Sequence, residues 1–510
     1  MRPDPAPERR SKQDRDDAGS VRAALGDPRR LRTEVLGGLV VALALIPEAI
    51  SFSLIAGVDP RVGLFASFTM AVAISIFGGR RAMISAATAA TALVISPLVP
   101  LYGPERGLEY IIAAVILGGV IQVVLGLLGV AKMMRFIPRS VMVGFVNALA
   151  ILIFIAQLPH LFGVPWYVYV LVAAGLAIIV LFPRLTTVVP APLVAIVGLT
   201  TVTVAFGIAA PNVSGEGALP DSLPTLLVPD VPLSLETLEI VAPYAIGIAL
   251  VGLMESLMTA KLVDDITDTH SDKTREAWGQ GAANIITGFF GGMGGCAMIG
   301  QTMINVKSAG SRTRISTFLA GVFLLILVVA LGDIVGLIPM AALVAVMIMV
   351  SVATFDWHSV QPSTLRRMPK SETTVMLVTV VVTVATHNLA YGVITGVIVA
   401  ALMFARRVAH FTQVVDVAHP DENTRVYKVI GELFFASSND LVYQFDYAGD
   451  PENVVIDMSD SHIWDASTVA ALDAITTKYA AKAKKVTITG LNDASAARHE
   501  RLAGHLSAGH

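Results

Sequence analysis

From about residue 34 to residue 410 apolar residues dominate the chain in long runs separated by short charged clusters. Runs such as 36-LGGLVVALALI-46, 111-IIAAVILGGVIQVVLGLLGV-130 and 321-GVFLLILVVALGDIVGLI-338 approach or reach the roughly 20 residues that cross a bilayer as helix. Dividing this part at its charge clusters and Gly/Pro breaks predicts about fourteen spans, several of them short. From about residue 412 the pattern changes. The stretch 425-RVYKVIGELFFASSNDLVYQF-445, followed by 454-VVIDMSDSHIWDASTVAALDAITTKYAAKAKKVTITG-490, reads as strand, strand, helix and strand with a glycine stop. The expected architecture is an all-α polytopic membrane domain followed by a small cytosolic α/β domain. Its boundaries fall at 1–33 for a cytosolic tail, 34–410 for the membrane domain and 411–510 for the α/β module.

Composition strengthens the membrane reading. The 510 residues are 55% hydrophobic and 15% charged, with mean hydropathy +0.71. A net charge of −3 with no long basic block argues against nucleic acid as a partner. The first residues are rich in both arginine and acids and lack the apolar core of a signal peptide. Basic residues then test the division into spans. With the amino terminus inside, Arg80/Arg81, Lys132/Arg135/Arg139, Arg184, Lys261/Lys273/Arg275, Lys307/Arg312/Arg314, Arg366/Arg367/Lys370 and Arg406/Arg407 all fall on cytosolic loops. Only Arg61 and Arg106 fall outside, and the long loop 211–239 has neither Lys nor Arg. Both termini are therefore expected in the cytosol of a multi-pass protein of the cell membrane.

Two segments make poor spanning helices. One is 84-ISAATAATALVISPLV-99; the other is 286-ITGFFGGMGGCAMIGQTMIN-305, whose glycines each cost about 1 kcal/mol against alanine in a helix. Each lies third within a set of seven spans. Two seven-span halves of opposite topology would make them structural equivalents whose amino-terminal ends meet near the midplane. Irregular backbone survives at membrane depth only where protein or water satisfies it, so the breaks mark a cavity. Two facing helix amino termini present unpaired N–H groups and partial positive charge, which suits a small anion. Small residues, Ser85 and Thr88 would let that anion approach the backbone.

Carboxylates within spans are costly and point to function. Glu48 follows Pro47, which is expected to break the first helix, and Glu255 has Thr259 one turn later on the same face. The pair reads as a candidate H⁺ or cation site beside the anion site. Asp264, Asp265 and Asp268 fall at the cytosolic end of their span, where solvation is expected. His160, His270, His387 and His410 sit at span ends or loops without partners at metal-ligand spacing, so neither a metal nor a cofactor is expected. The single cysteine, Cys296, reads as a small apolar residue without a redox role. No GxSxG, Walker loop or HExxH occurs. An enzyme is the least supported class, and transport without an ATP-binding loop must draw on ion gradients or exchange.

The combination of 47-PEAISFSLIAGVDPRVGLFAS-67, the span with Glu255, 275-REAWGQGAANIITGFFGGMGG-295, 305-NVKSAGSRTR-314 and the terminal α/β module resembles the SulP family of anion transporters with a cytosolic STAS domain. The resemblance covers about residues 30 to 505. It implies seven plus seven inverted spans divided into core and gate domains, elevator-like displacement of the anion, and a homodimer. Family substrates are sulfate, bicarbonate, chloride, oxalate or C4-dicarboxylates, often with H⁺ or Na⁺. The anion site between the third and tenth spans carries over onto Ser85, Ala87 and Thr88, onto Ala297, Met298, Ile299 and Gly300, and onto Glu48 and Glu255 beside it. Many members have an arginine where this chain has Gln301, so a strong preference for sulfate is not implied. Sodium-coupled members place an aspartate where Glu255 stands, which favours proton coupling here. Met298 and Ile299 would suit an organic anion such as fumarate. In the STAS module Ser467 matches a serine that related anti-sigma antagonists phosphorylate, and its ordinary role would be helix capping. The short stretch after residue 494 implies a minimal module. A nucleobase permease of the same fold would lack the STAS tail, and a transport-inactive sensor would act through STAS by capturing a cytosolic partner.

Overall fold

The computed structural model describes residues 20–132, 137–186, 189–232, 234–409, 412–421 and 423–505. Most of the tail, Arg135 and His410 lie outside the described residues. The chain forms two compact units, residues 1–396 and 397–510.

The first unit is helical. Its principal helices in chain order are α1 (Pro28–Ala56), α2 (Pro60–Phe77), α3 (Ala89–Ile95), α4 (Pro104–Leu127), α5 (Arg139–Gln157), α6 (Trp166–Leu181) and α7 (Ala191–Ala205), then α8 (Leu235–Thr267), α9 (Lys273–Phe289), α10 (Ile299–Met303), α11 (Arg314–Ala330), α12 (Met340–Thr354), α13 (Lys370–Thr386) and α14 (Leu389–Ala409). Short helices at 21–26, 98–102, 332–336 and 362–367 join them. Among the described residues, seven helical segments are long and apolar enough to cross a membrane by length and composition. The first, α1, starts at an Asp27 cap with Pro28 in its first turn and ends at Gly57 in the left-handed region. Pro47 does not break it. The helix continues to Ala56, and the Ser51 hydroxyl donates to the Pro47 carbonyl at 2.8 Å.

Helix pairing repeats with a step of seven. The α1–α11 contact is matched by α8–α4, α2–α11 by α9–α4, and α5–α13 by α12–α6, while α2–α9 and α5–α12 pair with their own equivalents. The two halves are thus related by an approximate two-fold axis, and an odd number of spans per half makes them inverted. Helices α1–α4 and α8–α11 pack as one group. The second group holds α5, α6, α7, α12 and α13, and Gly392 and Gly396 bring α14 against Thr383 and Thr379 of α13. The two broken segments meet on the axis. Strand β1 (Ser85–Ala86) pairs antiparallel with β2 (Cys296–Ala297), Ser85 opposite Ala297 and Ala86 opposite Cys296.

The second unit contains a four-stranded sheet in the order β3 (Gln413–Asp421), β4 (Thr424–Leu433), β5 (Asn453–Ile463) and β6 (Lys485–Thr489). The β3–β4 pair is antiparallel and the other two are parallel. Helices α15 (Phe435–Leu441), α16 (Ala466–Ala480) and α17 (Asp493–Leu502) complete it. Its core gathers Val429, Leu433, Ile456, Met458, Leu472 and Ile475. Buried Asp450 accepts hydrogen bonds from the Tyr427 and Tyr479 hydroxyls and from Arg425. Burial, then the bond to Asp450, pushes the Tyr427 phenol up to about 12. The cap of α16 is Asp465, which accepts the Thr468 N–H at 3.1 Å. Ser467 is therefore not the cap; it lies exposed in the first turn.

Candidate anion site

The site grows from two short helices that start at the β1–β2 pair. Thr88 caps α3 by accepting the Thr91 N–H, whereas Met298 precedes α10 without a side-chain cap. The first-turn N–H groups of both helices have no intrahelical acceptor. Glycine makes the approach feasible. Gly291 and Gly294 take positive φ, and a Cβ on Gly295 would overlap the Ala86 carbonyl. The run of glycines that unsettles the apolar pattern thus turns the chain after α9 and lets β2 lie against β1.

Two carboxylates flank the pair. The Cys296 thiol donates to Glu255 Oε2 at 2.9 Å and lies 3.1 Å from Thr88 Oγ1. One chain of polar atoms thereby runs from α8 through β2 to the start of α3. On α1, which packs against both α3 and α10, Glu48 is half-buried. Gln301 is 2% exposed, and its Oε1 is buried without a partner. A buried acceptor left without a donor costs about 1–3 kcal/mol. Next to it, Gly300 is exposed, and nothing lies within 4 Å of the point where its side chain would begin. Ile299, beside it in the chain, is half-buried. On α12, Met340–Met347 are buried while Ile348, Met349 and Val350 are partly exposed.

The other predicted positions sort themselves by geometry. Ser85, Ala87, Thr88, Ala297 and Met298 are buried. The Ser85 hydroxyl accepts from Gln280 at 2.7 Å, so it is held from behind the strand pair. Thr259 donates to the Glu255 backbone carbonyl at 2.8 Å and is not joined to its carboxylate. Ser467 belongs to the second unit. Asp264 departs from the expected solvation: it pairs with Arg80 at 3.0 Å and Lys273 at 2.7 Å, with only 11% of its side chain exposed. Asp265 and Asp268 are exposed.

Sequence reasoning missed a polar face on α9. Glu276 accepts the N–H groups of Gly79 and Arg80 at 2.8 and 2.9 Å, and Gln280 reaches Ser85. Asn284 both donates to and accepts from the Gly295 backbone, at 3.0 and 2.9 Å, and also donates to Gln122. Thr287 meets Thr69 at 2.8 Å. The signal was present: polar residues at 276, 280, 284 and 287 follow helical spacing among small residues. Cys296 was also undervalued, because its contacts come from residues distant in sequence. Two cavities, of about 450 and 170 Å³, share His160 and Glu216 and contain none of the predicted binding residues.

Known proteins resemble this chain in sequence and in fold. The sulfate permease family profile matches residues 31–174 and 166–379, and the STAS domain profile matches 415–505. YbaR of Bacillus subtilis (strain 168), named for sulfate transport, is 52% identical over 474 residues, covering 93% of this chain and 97% of that protein. The bicarbonate transporter BicA of Picosynechococcus sp. is 25% identical over 529 residues, covering 93% and 91%. The structure of the murine Slc26a9 anion transporter in its inward-facing state superposes with a TM-score of 0.81 at 17% identity, covering 98% of this chain and 92% of that one. A helical membrane unit built on crossed half-helices, followed by a STAS domain, and a family match over most of the length lead to one conclusion: the chain belongs to the sulfate permease (SulP) family, whose members are membrane anion transporters rather than enzymes.

Proposed function

We propose that the chain is a secondary active transporter that carries a small organic anion, a C4-dicarboxylate such as fumarate, together with H⁺. The anion binds between α3 and α10, at the first-turn N–H groups beside Thr88, Met298, Ile299, Gly300 and Gln301. Glu48 and Glu255 take up the coupling proton, with Thr259 supporting Glu255. The observation that carries the reading is the opening at Gly300, an exposed glycine at the start of a half-helix flanked by two carboxylates. A neutral Gln301 where many relatives have arginine, with Met298 and Ile299 alongside, favours an organic anion over sulfate. Core helices α1–α4 and α8–α11 move against the rest to expose the site alternately. We further assign a transmembrane domain over 34–410, a STAS domain over 411–510 with Ser467 as its phosphorylation position, cytosolic termini and a homodimer in the cell membrane.

The test is uptake of radiolabelled fumarate into proteoliposomes with and without an inward proton gradient, beside Glu48→Gln. Gradient-driven uptake that the variant loses is the expected result. Absence of fumarate uptake under both conditions overturns the substrate assignment. A second reading, transport of sulfate or bicarbonate, is favoured by the names of YbaR and BicA. The same vesicles loaded with those anions distinguish it.

A further inference from the structure

The connection from α7 to α8, residues 206–234, leaves one group of helices and enters the other. Its first part is held by the group that α7 leaves. The Tyr167 hydroxyl of α6 donates to the Ala209 carbonyl at 2.9 Å, the Met340 N–H at the start of α12 donates to Pro211 at 2.8 Å, and the Val213 N–H donates to Ile338 at 3.0 Å. Its later part is held by the group that α8 enters. The Ala218 carbonyl accepts the Arg61 N–H of α2 at 3.1 Å, the Leu227 N–H donates to Phe289 of α9 at 2.7 Å, and the Asp230 N–H donates to the Glu109 carboxylate of α4 at 2.8 Å. Gly217 takes φ +153°, and a Cβ there would overlap Asp59, so a glycine is what lets the chain lie against the start of α2. Between the two sets of anchors stand Ser214, Gly215 and Glu216, all exposed.

We propose that Ser214–Glu216 is an extensible joint that ties the two groups together and sets how far the core helices travel against the rest. In this structure the joint is shortened, because Val213–Gly215 form a 3₁₀ turn. Asn212 closes that turn: its side-chain oxygen accepts from the Ser214 hydroxyl at 3.0 Å and from the Gly215 N–H at 3.2 Å. Both bonds lie at the surface, where water takes over their partners when the turn opens. A 3₁₀ turn rises about 2.0 Å per residue against about 3.3 Å in extended chain, so unwinding three residues releases about 4 Å. Fully extended, the chain from Val213 to Ala218 reaches about 17 Å, and the groups separate no further here while both sets of anchors hold. The inference rests on the alternating movement proposed above and names the segment that limits it.

Space for the movement lies beside the joint. The cavity of about 450 Å³ is lined by Asp59 and Arg61 at the start of α2, Glu105 of α4, His160 after α5 and Glu216 of the joint, so residues of both groups face it. At about 30 Å³ per water molecule, its walls can approach one another by expelling solvent rather than by repacking side chains. The smaller cavity, of about 170 Å³, reaches from Glu216 to Met340, the anchor at the start of α12.

The experiment reads the separation of the two groups by double electron–electron resonance in full-length Cys296→Ser protein in lipid nanodiscs, with and without saturating fumarate. Nitroxides are placed at Arg106→Cys on α4 and Phe162→Cys after α5, both exposed. The loop is taken as native, as Gly215→Ala, with Gly215 deleted, and with Gly-Ser inserted after Gly215. The native loop should give two separations. Gly215→Ala keeps the length, and its methyl group fits, with Asn212 Oδ1 the nearest atom at 3.6 Å, so it should give the same two. Deletion should shorten the larger separation by about 3 Å, the reach of one residue, and the insertion should lengthen it. The insertion decides alone where the deletion fails to fold. A single separation with the native loop, the same with fumarate, would remove the moving-core reading itself. A larger separation that ignores either change of length, or that shifts in Gly215→Ala, would overturn the joint and leave the movement standing.

Discussion

At the scale of single residues the site depends on polar atoms that an apolar reading of the chain undervalues. Cys296 carries no charge, yet its thiol spans the gap between Glu255 and Thr88 and so fixes a carboxylate relative to the start of α3. A hydrogen bond to a charged group contributes about 1.5–3 kcal/mol, and its loss leaves a buried carboxylate without that donor. Cys296→Ala should therefore lower kcat/KM for anion uptake by about tenfold or more, since each 1.4 kcal/mol corresponds to about tenfold. Cys296→Ser preserves a donor and should stay within about threefold. Kinetics of both variants in vesicles decide the point, and equal activity would mean that Cys296 only fills space. Its complete burial also makes it a poor labelling target, so a reporter thiol belongs at an exposed neighbour.

At the scale of elements, the backbone breaks are held open by α9. Asn284 supplies Gly295 with both a donor and an acceptor, doing for the turn before β2 what a neighbouring strand would do. Replacing it with alanine leaves the Gly295 N–H and C=O unpaired in a buried position, at about 1–3 kcal/mol each. Asn284→Ala should lower the thermal midpoint of the detergent-solubilised protein and weaken anion uptake, as a fluorescence melt beside vesicle transport would show. An unchanged melt would remove the strap from the account. The apolar runs foretold the helical unit, and the glycines with Ser85 and Thr88 foretold where two half-helices meet. Those signals are local in sequence, set by hydrophobic length and by residues that tolerate close backbone approach. What escaped was set by distant partners. Pro47 stays inside α1 because packed spans tolerate a missing donor, and Asp264 is desolvated because Arg80 and Lys273 fold over it. In the second unit β4, β5, α16 and β6 were readable from alternation and a glycine stop. The antiparallel edge strand β3, with two register shifts, was not, and the α16 cap lay at Asp465, two positions before Ser467.

At the scale of the whole molecule, the repeated helix pairing explains how one chain brings two half-helix termini face to face. Inversion places α3 and α10 on opposite sides of a common axis, and the β1–β2 pair joins them where the two halves cross. Packing tightens around α3, whose residues are all buried, and loosens around α10, where Gly300 is exposed and the second half of α12 is partly open. Gly300 is thus an exposed point beside the proposed anion site. The most direct test places a thiol there, as Gly300→Cys in a Cys296→Ser background that still transports. The rate of its modification by a membrane-impermeant reagent is then followed in solubilised protein with and without saturating anion. The account predicts that bound anion slows labelling by about tenfold or more. An unchanged rate at an anion concentration that saturates transport would contradict a binding site between α3 and α10.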